Sequence, residues 1–127
     1  MGWKQYDYDL EDRTLEFAKS VRTFVKQLSI TTANIEDSKQ LIRSSGSVGA
    51  NYIEANEALS KKDFYHRIKI SRKESKESRY WLRLVFIEEN RNELENKRND
   101  LIQEATELMK IFGSIVTKKD KKEEDNK

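Results

Sequence analysis

The 127-residue chain has no cysteine, no proline, four glycines and a single histidine. Without cysteine there can be neither disulfides nor thiolate metal sites, which is compatible with a reducing compartment. Without proline, and with so little glycine, the turn punctuation of a β-sandwich or barrel is missing. Long apolar runs are missing as well: no stretch approaches the roughly 18 residues of a bilayer span. The opening MGWKQYDYDLED lacks the apolar core of a signal peptide. The expected setting is cytoplasmic, with no membrane contact. Net charge is only +2, so its distribution along the chain carries the information.

Hydrophobic residues make up 35% of the chain and charged residues 38%. A composition rich in Lys, Glu, Arg and Leu is that of long amphipathic helices in one domain. Disorder is the competing reading of so polar a chain, and apolar periodicity argues against it except at the C-terminus. Residues 1–9, with Trp3, Tyr6 and Tyr8, read as a leader that lays aromatic rings against the body. Over residues 10–28, Leu10, Thr14, Phe17, Val21, Phe24, Val25 and Leu28 recur at the spacing of one helix face.

Residues 29–34 (SITTAN) form a polar break with several N-cap candidates. A second helix is expected over residues 35–58, with Ile35, Ser38, Leu41, Ile42, Ser45, Val48, Gly49, Tyr52 and Asn56 on one face. Its middle, SSGSVGA, is poor in helix formers, and a loop is the alternative there. The apolar spacing crosses the segment without a phase break, which favours a helix whose small residues admit a close neighbour. Ser60-Lys61-Lys62-Asp63 has the form of a capping box and opens a third helix that reaches about residue 88. Its stripe is Phe64, Ile68, Ser71, Ser75, Ser78, Leu82 and Val85, widened by Ile70, Trp81 and Leu84. Residues 89–99 supply a turn and the start of a fourth helix, whose face carries Leu94, Leu101, Ala105, Leu108, Phe112 and Ile115, with Met109 and Val116 beside them. Residues 118–127 contain no apolar residue and read as a charged, frayed tail. Residues 10–117 are therefore expected to fold as an all-α, antiparallel up-down-up-down four-helix bundle.

The third helix is also where charge is lopsided. Between Ser60 and Arg83 there are nine cations and three anions, a net +6, against −4 for the remainder. Such a segment favours phosphate backbones. Arg67, Lys69, Arg72, Lys76, Arg79 and Arg83 are the candidate nucleic-acid contacts, with Tyr65, His66 and Tyr80 available for stacking. Nothing resembles a base-reading motif, so binding would be independent of sequence. The alternative is a solvated face that pairs with Glu36, Asp37, Glu54, Glu57, Glu88 and Glu89.

A second group, Arg43, Asn51, Glu54, Lys73, Glu74 and Glu77, reads as a hydrogen-bonded polar network that sets helix register or a subunit interface. Acid–base catalysis by Glu54 and Glu77 is the competing reading. No nucleophile and no phosphate-cradling loop accompanies them, so an enzyme is not expected. A di-iron site needs two Glu-x-x-His pairs, whereas His66 has Asp63 three residues before it. No metal site or cofactor is implied. Trp81, Tyr52, Phe64 and Phe112 read as core, with Trp81 and Tyr80 as possible anchors between subunits.

The run RSSGSVGANYIEANEALSKKDF, then KISRKESKESRYWLRL, resembles the 23S rRNA intervening-sequence proteins, or S23 family. The opening YDLEDRTLEFAKSVRTFVKQL and the link NIEDSKQLIRSS fit as well, so the resemblance spans residues 6–116. One departure is Ser29, where members commonly carry proline. The resemblance implies a four-helix bundle assembled as a homopentameric ring. It further implies a kinship with the accessory proteins of diversity-generating retroelements, which bind nucleic acid and a reverse transcriptase. RNA or DNA, a reverse transcriptase, a ribosomal component and other copies of the chain are the partners it implies, with no established catalytic activity. A structural or adaptor ring that docks other proteins is the alternative role.

Overall fold

In the computed structural model the backbone is described for residues 7–125 and side chains for residues 10–118. Four helices account for nearly all of it: α1 (Asp7–Val25), α2 (Thr32–Asn56), α3 (Lys61–Leu84) and α4 (Asn92–Asp125). No strand occurs among the described residues. Each helix packs on two neighbours, α1 on α2, α2 on α3, α3 on α4 and α4 on α1, and the backbones of the diagonal pairs stay apart. The α2–α3 seam is the most extensive and the α1–α4 seam the thinnest.

The core follows the helical stripes. Phe17, Val21 and Phe24 of α1, Leu41, Val48 and Tyr52 of α2, Phe64, Ile68 and Leu82 of α3, and Leu108 and Phe112 of α4 are all buried. Tyr52 meets Phe112 across the bundle with ring centroids 5.9 Å apart. Burying an aliphatic or aromatic side chain of this kind stabilises the fold by about 1.5–3 kcal/mol each. The capping box at Ser60 forms: its hydroxyl accepts from the Asp63 amide at 3.1 Å, and Asp63 sits in the positive first turn.

The boundaries differ from the sequence reading in ways that have local causes. Thr31 caps α2 by accepting from the Asn34 amide at 3.0 Å, so the helix begins at Thr32 and not at residue 35. Helix α3 stops at Leu84 and not near residue 88, because Val85 turns to ψ 145° and Arg98 of α4 takes the freed carbonyls. The Arg98 guanidinium donates to Val85 O at 2.7 Å, Leu82 O at 3.2 Å and Arg83 O at 3.3 Å. Helix α4 opens at Asn92, so most of the Asn-rich segment is its exposed first turns, and its backbone continues to Asp125. Helix α1 opens at Asp7, inside the expected leader; residues 1–6, with Trp3 and Tyr6, and the Tyr8 side chain lie outside what is described.

Two expected core residues are not in the core: Ile35 is 45% exposed and Leu84 49%. Asn34 takes the inward position in place of Ile35, because its amide satisfies three backbone groups. It donates to Ser29 O at 3.1 Å and Phe86 O at 3.0 Å, and its carbonyl accepts from the Phe86 amide at 2.9 Å. Leu84 lies in the last turn of α3, on the outward side.

The SSGSVGA segment is helical throughout. Ser44, Ser45, Ser71, Ser75 and Ser78 are buried, and their hydroxyls are all bonded. Ser71 Oγ donates across the seam to Val48 O at 2.9 Å, and Ser78 Oγ to Ser44 Oγ at 2.9 Å. On the other side of α2, a Cβ added to Gly49 would lie 2.8 Å from Thr14 Oγ1 of α1. Thr14 is buried and its hydroxyl is committed to Leu10 O, so it cannot swing away.

The two glycines of this segment should therefore respond oppositely to alanine. Gly46 has the Arg22 guanidinium no nearer than 3.6 Å, an ordinary contact, so Gly46→Ala should gain about 1 kcal/mol of helix propensity. Gly49→Ala should lose about 1–2 kcal/mol through overpacking despite the same propensity gain. Urea denaturation of the two variants checks this; a stabilised Gly49→Ala would contradict the close α1–α2 approach.

Candidate nucleic-acid interface

Helix α3 distributes its charges by where its neighbours sit. Glu74 is buried and Glu77 partly buried, and both are held by one guanidinium: Arg43 of α2 donates to Glu74 at 2.8 Å and to Glu77 at 2.7 Å. Burial pushes the Glu77 carboxyl up, and the hydrogen bond from Arg43, helped by Trp81, outweighs it and leaves the group below its usual 4.5. The Trp81 indole N–H donates to the other Glu77 oxygen at 3.4 Å. With Asp63 at the N-terminus, all three α3 carboxylates are thus assigned to structural tasks.

The cations are disposed differently. At 100° per residue, Lys62, Lys69, Lys73, Lys76 and Arg83 fall within a sector of about 80° opposite the buried stripe, along roughly 31 Å of axis, and all are exposed. Arg72 and Arg79 flank this row on the α4 side. Arg79 reaches Thr106 Oγ1 at 3.4 Å, and the Arg72 side chain lies over Gly113, 3.6 Å from where a Cβ would be. The α4 residues that meet them are uncharged, because Glu104 and Glu107 are turned to the opposite flank. There Arg13 of α1 makes a two-point contact with Glu104, 2.8 Å for each bond, and a longer one with Glu107 at 3.4 Å.

Among the described residues, no carboxylate pairs with Lys61, Lys62, Arg67, Lys69, Arg72, Lys73, Lys76, Arg79 or Arg83. None of the acids weighed as partners of this segment forms an ion pair with its cations among the described residues. Glu36 pairs with Lys39 of its own helix, and Glu88 receives the Ser29 hydroxyl, which pulls its carboxyl below the usual range.

Two residues exchange roles relative to the sequence reading. Arg67 is on the α2 flank, where it donates to Asn51 Oδ1 at 3.1 Å. Lys73 stands in the outward cationic row. Lys73 lies three positions before Lys76 and four after Lys69, a spacing that places it on their side and away from the network with Glu74 and Glu77 in which the sequence reading put it. Glu54 is exposed and stands apart from the Arg43 cluster, eleven residues and about 16 Å along α2. It borders a shallow hollow of about 340 Å³ with Asp63, His66 and Arg67. Glu54 and Glu77 are not brought together, and Glu77 is tied up in its ion pair. No group of three His, Cys, Asp or Glu side chains disposed to hold a metal occurs among the described residues. No described helix is long and apolar enough to cross a membrane.

Of the stacking candidates, Tyr65 packs edge-on against buried Phe64, with centroids 5.1 Å apart. His66 is exposed. Tyr80 is 56% exposed and lies in the outward row. Polar contacts that sequence reasoning missed are those at Asn34, Arg13 and Arg98. Their bonds between elements join residues from 13 to 94 positions apart, with no local signal to announce the partner.

Residues 7–114 match the family described as 23S rRNA-intervening sequence protein. The chain belongs to that family. A solved relative of the 23S rRNA-intervening sequence chain is a protein with unknown function from the S23 ribosomal protein family of Bacteroides thetaiotaomicron VPI-5482. The two are 31% identical, with a TM-score of 0.69 over 84% of this chain and 96% of the other. No curated protein matches the chain. The serine seam, the Arg43 ion pair and the cationic row all lie inside the matched region.

Arg43→Ala should strand the buried Glu74 carboxylate and cost about 1–2 kcal/mol, allowing for a guanidinium that is half exposed. Because the Glu77 carboxyl is lowered in the folded state, its contribution is complete above the usual 4.5 and is lost as pH falls through the folded value. Denaturation measured between pH 7 and pH 3 should show this acid loss in the native chain and a smaller one in Arg43→Ala.

Proposed function

We propose that this protein is a non-enzymatic, homo-oligomeric helical bundle that associates with RNA or DNA through the cations of α3, in the cytoplasm. The observation that carries the reading is the division of charge on α3. Its carboxylates are drawn into the fold or spent on a cap, while Lys69, Lys73, Lys76 and Arg83 face outward, with Arg72 and Arg79 beside them, without ion pairs among the described residues. A cationic ridge flanked by uncharged α4 residues attracts a polyanion and does so by counterion release. Arg67 has a smaller part, because Asn51 already holds it.

The helices run up-down-up-down and antiparallel in this reading. The pairings Ser44–Ser78, Val48–Ser71 and Asn51–Arg67, whose numbers rise on α2 as they fall on α3, support it. Assembly as a pentameric ring is part of the same reading. Exposed apolar residues at Leu15, Ile30, Ile53 and Phe86 support self-association, and they are also what an adaptor ring without nucleic acid would use. A reverse transcriptase or a ribosomal component is the protein partner proposed for such a ring.

Binding of labelled RNA and DNA at low salt should be micromolar or tighter and weaken steeply as salt rises. Arg72→Glu combined with Arg79→Glu should weaken it by about tenfold or more. Absence of binding at low salt would leave the adaptor reading in its place. Light scattering should give several times the 15.1 kDa of one chain, and a monomer at micromolar concentration would end the oligomer reading.

A further inference from the structure

The outward row of α3 is not purely cationic. At its C-terminal end Tyr80 stands between Lys76 and Arg83, followed by Leu84 one turn on and Phe86 just past the helix; the three are 56%, 49% and 54% exposed. Side chains of this kind add nothing to a grip on duplex, whose bases are stacked inside and whose outer surface is phosphate and sugar. Beside a row of lysines they suit an unpaired strand, where each base presents a π-face that an aromatic ring can cover.

Tyr80 is also held in place. Its ring meets Trp81 edge to face, with centroids 5.0 Å apart and planes at 80°. Trp81 donates to Glu77, and Glu77 is fixed by Arg43 of α2. A solvent-facing tyrosine is thereby braced, through a tryptophan, by the ion pair that joins α2 to α3. Bracing lowers the ordering cost of stacking a base on it. From Lys69 to Arg83 the row extends about 21 Å along the axis, a span suited to a short run of nucleotides.

Resting on the nucleic-acid reading above, we infer that α3 binds an unpaired nucleic-acid strand: Lys69, Lys73, Lys76 and Arg83 follow its phosphates, and Tyr80 stacks on a base. The chain thereby distinguishes an unpaired strand from duplex without reading sequence.

The test uses fluorescence anisotropy of the full chain with a labelled 12-nucleotide uridine-rich RNA and with the same strand annealed to its complement. The single strand should bind more tightly than the duplex. Tyr80→Ala should weaken single-strand binding by about fivefold or more and leave duplex binding within about twofold. Tyr80→Phe should keep the native preference. Circular dichroism of each variant verifies that the helices are intact. Equal loss on single strand and duplex would overturn stacking at Tyr80 while leaving phosphate binding by α3 in place. Failure of the native chain to bind either RNA would overturn this inference together with the reading it rests on. A change in the mass of the assembly on Tyr80→Ala would make Tyr80 a contact between copies, and the inference would fall.

Discussion

The approach of α2 to α3 through serine side chains is the constraint on which the other features depend. Helices that meet through leucine or phenylalanine stand about 8–10 Å apart, with the distance set by side-chain size. Here Ser44, Ser71 and Ser78 occupy the seam, so the backbones come close enough for the Ser71 hydroxyl to reach the Val48 carbonyl. Buried hydroxyls are costly when left without partners. Each of these has one, on its own preceding turn or across the seam, so the close contact carries no unsatisfied polar group. On the other face of the same helix Gly49 lets Thr14 of α1 in.

The charge pattern follows from that seam. With α2 so near, Arg43 spans the gap and engages both Glu74 and Glu77, so the acids of α3 turn inward and cannot neutralise its cations. A parallel event on the far side of the bundle takes two acids of α4: Arg13 draws Glu104 and Glu107 towards α1. The ridge of lysine and arginine is what remains when packing has used the carboxylates. The candidate interface is therefore a product of how the helices meet as much as of the residues it presents.

One end of the bundle is fastened by a different device. Asn34 bonds the Ser29 carbonyl and both backbone groups of Phe86, the Ser29 hydroxyl reaches Glu88, and Arg91 donates to Gln27 O at 2.6 Å. The α1–α2 and α3–α4 connections are thus tied to each other, which fixes where α3 ends and holds Phe86 at the surface beside the cationic row. These bonds join residues that are remote in sequence, and their donors are ordinary polar residues in polar segments.

Periodicity was enough to determine the number of helices, most of the core and the Ser60 cap, because each depends on residues within one or two turns of one another. The same locality made the excess charge of α3 legible, and it allowed the small residues of α2 to be recognised as a packing surface. The tertiary structure decided what a local pattern cannot encode: which of two polar neighbours turns inward. It exchanged Arg67 with Lys73, exposed Ile35 in favour of Asn34, and left Glu54 outside the Arg43 cluster. Arg67 and Asn34 were placed by partners remote in the chain, Asn51 of α2 for Arg67 and the backbone of Phe86, just past α3, for Asn34, and the local pattern holds no record of those partners.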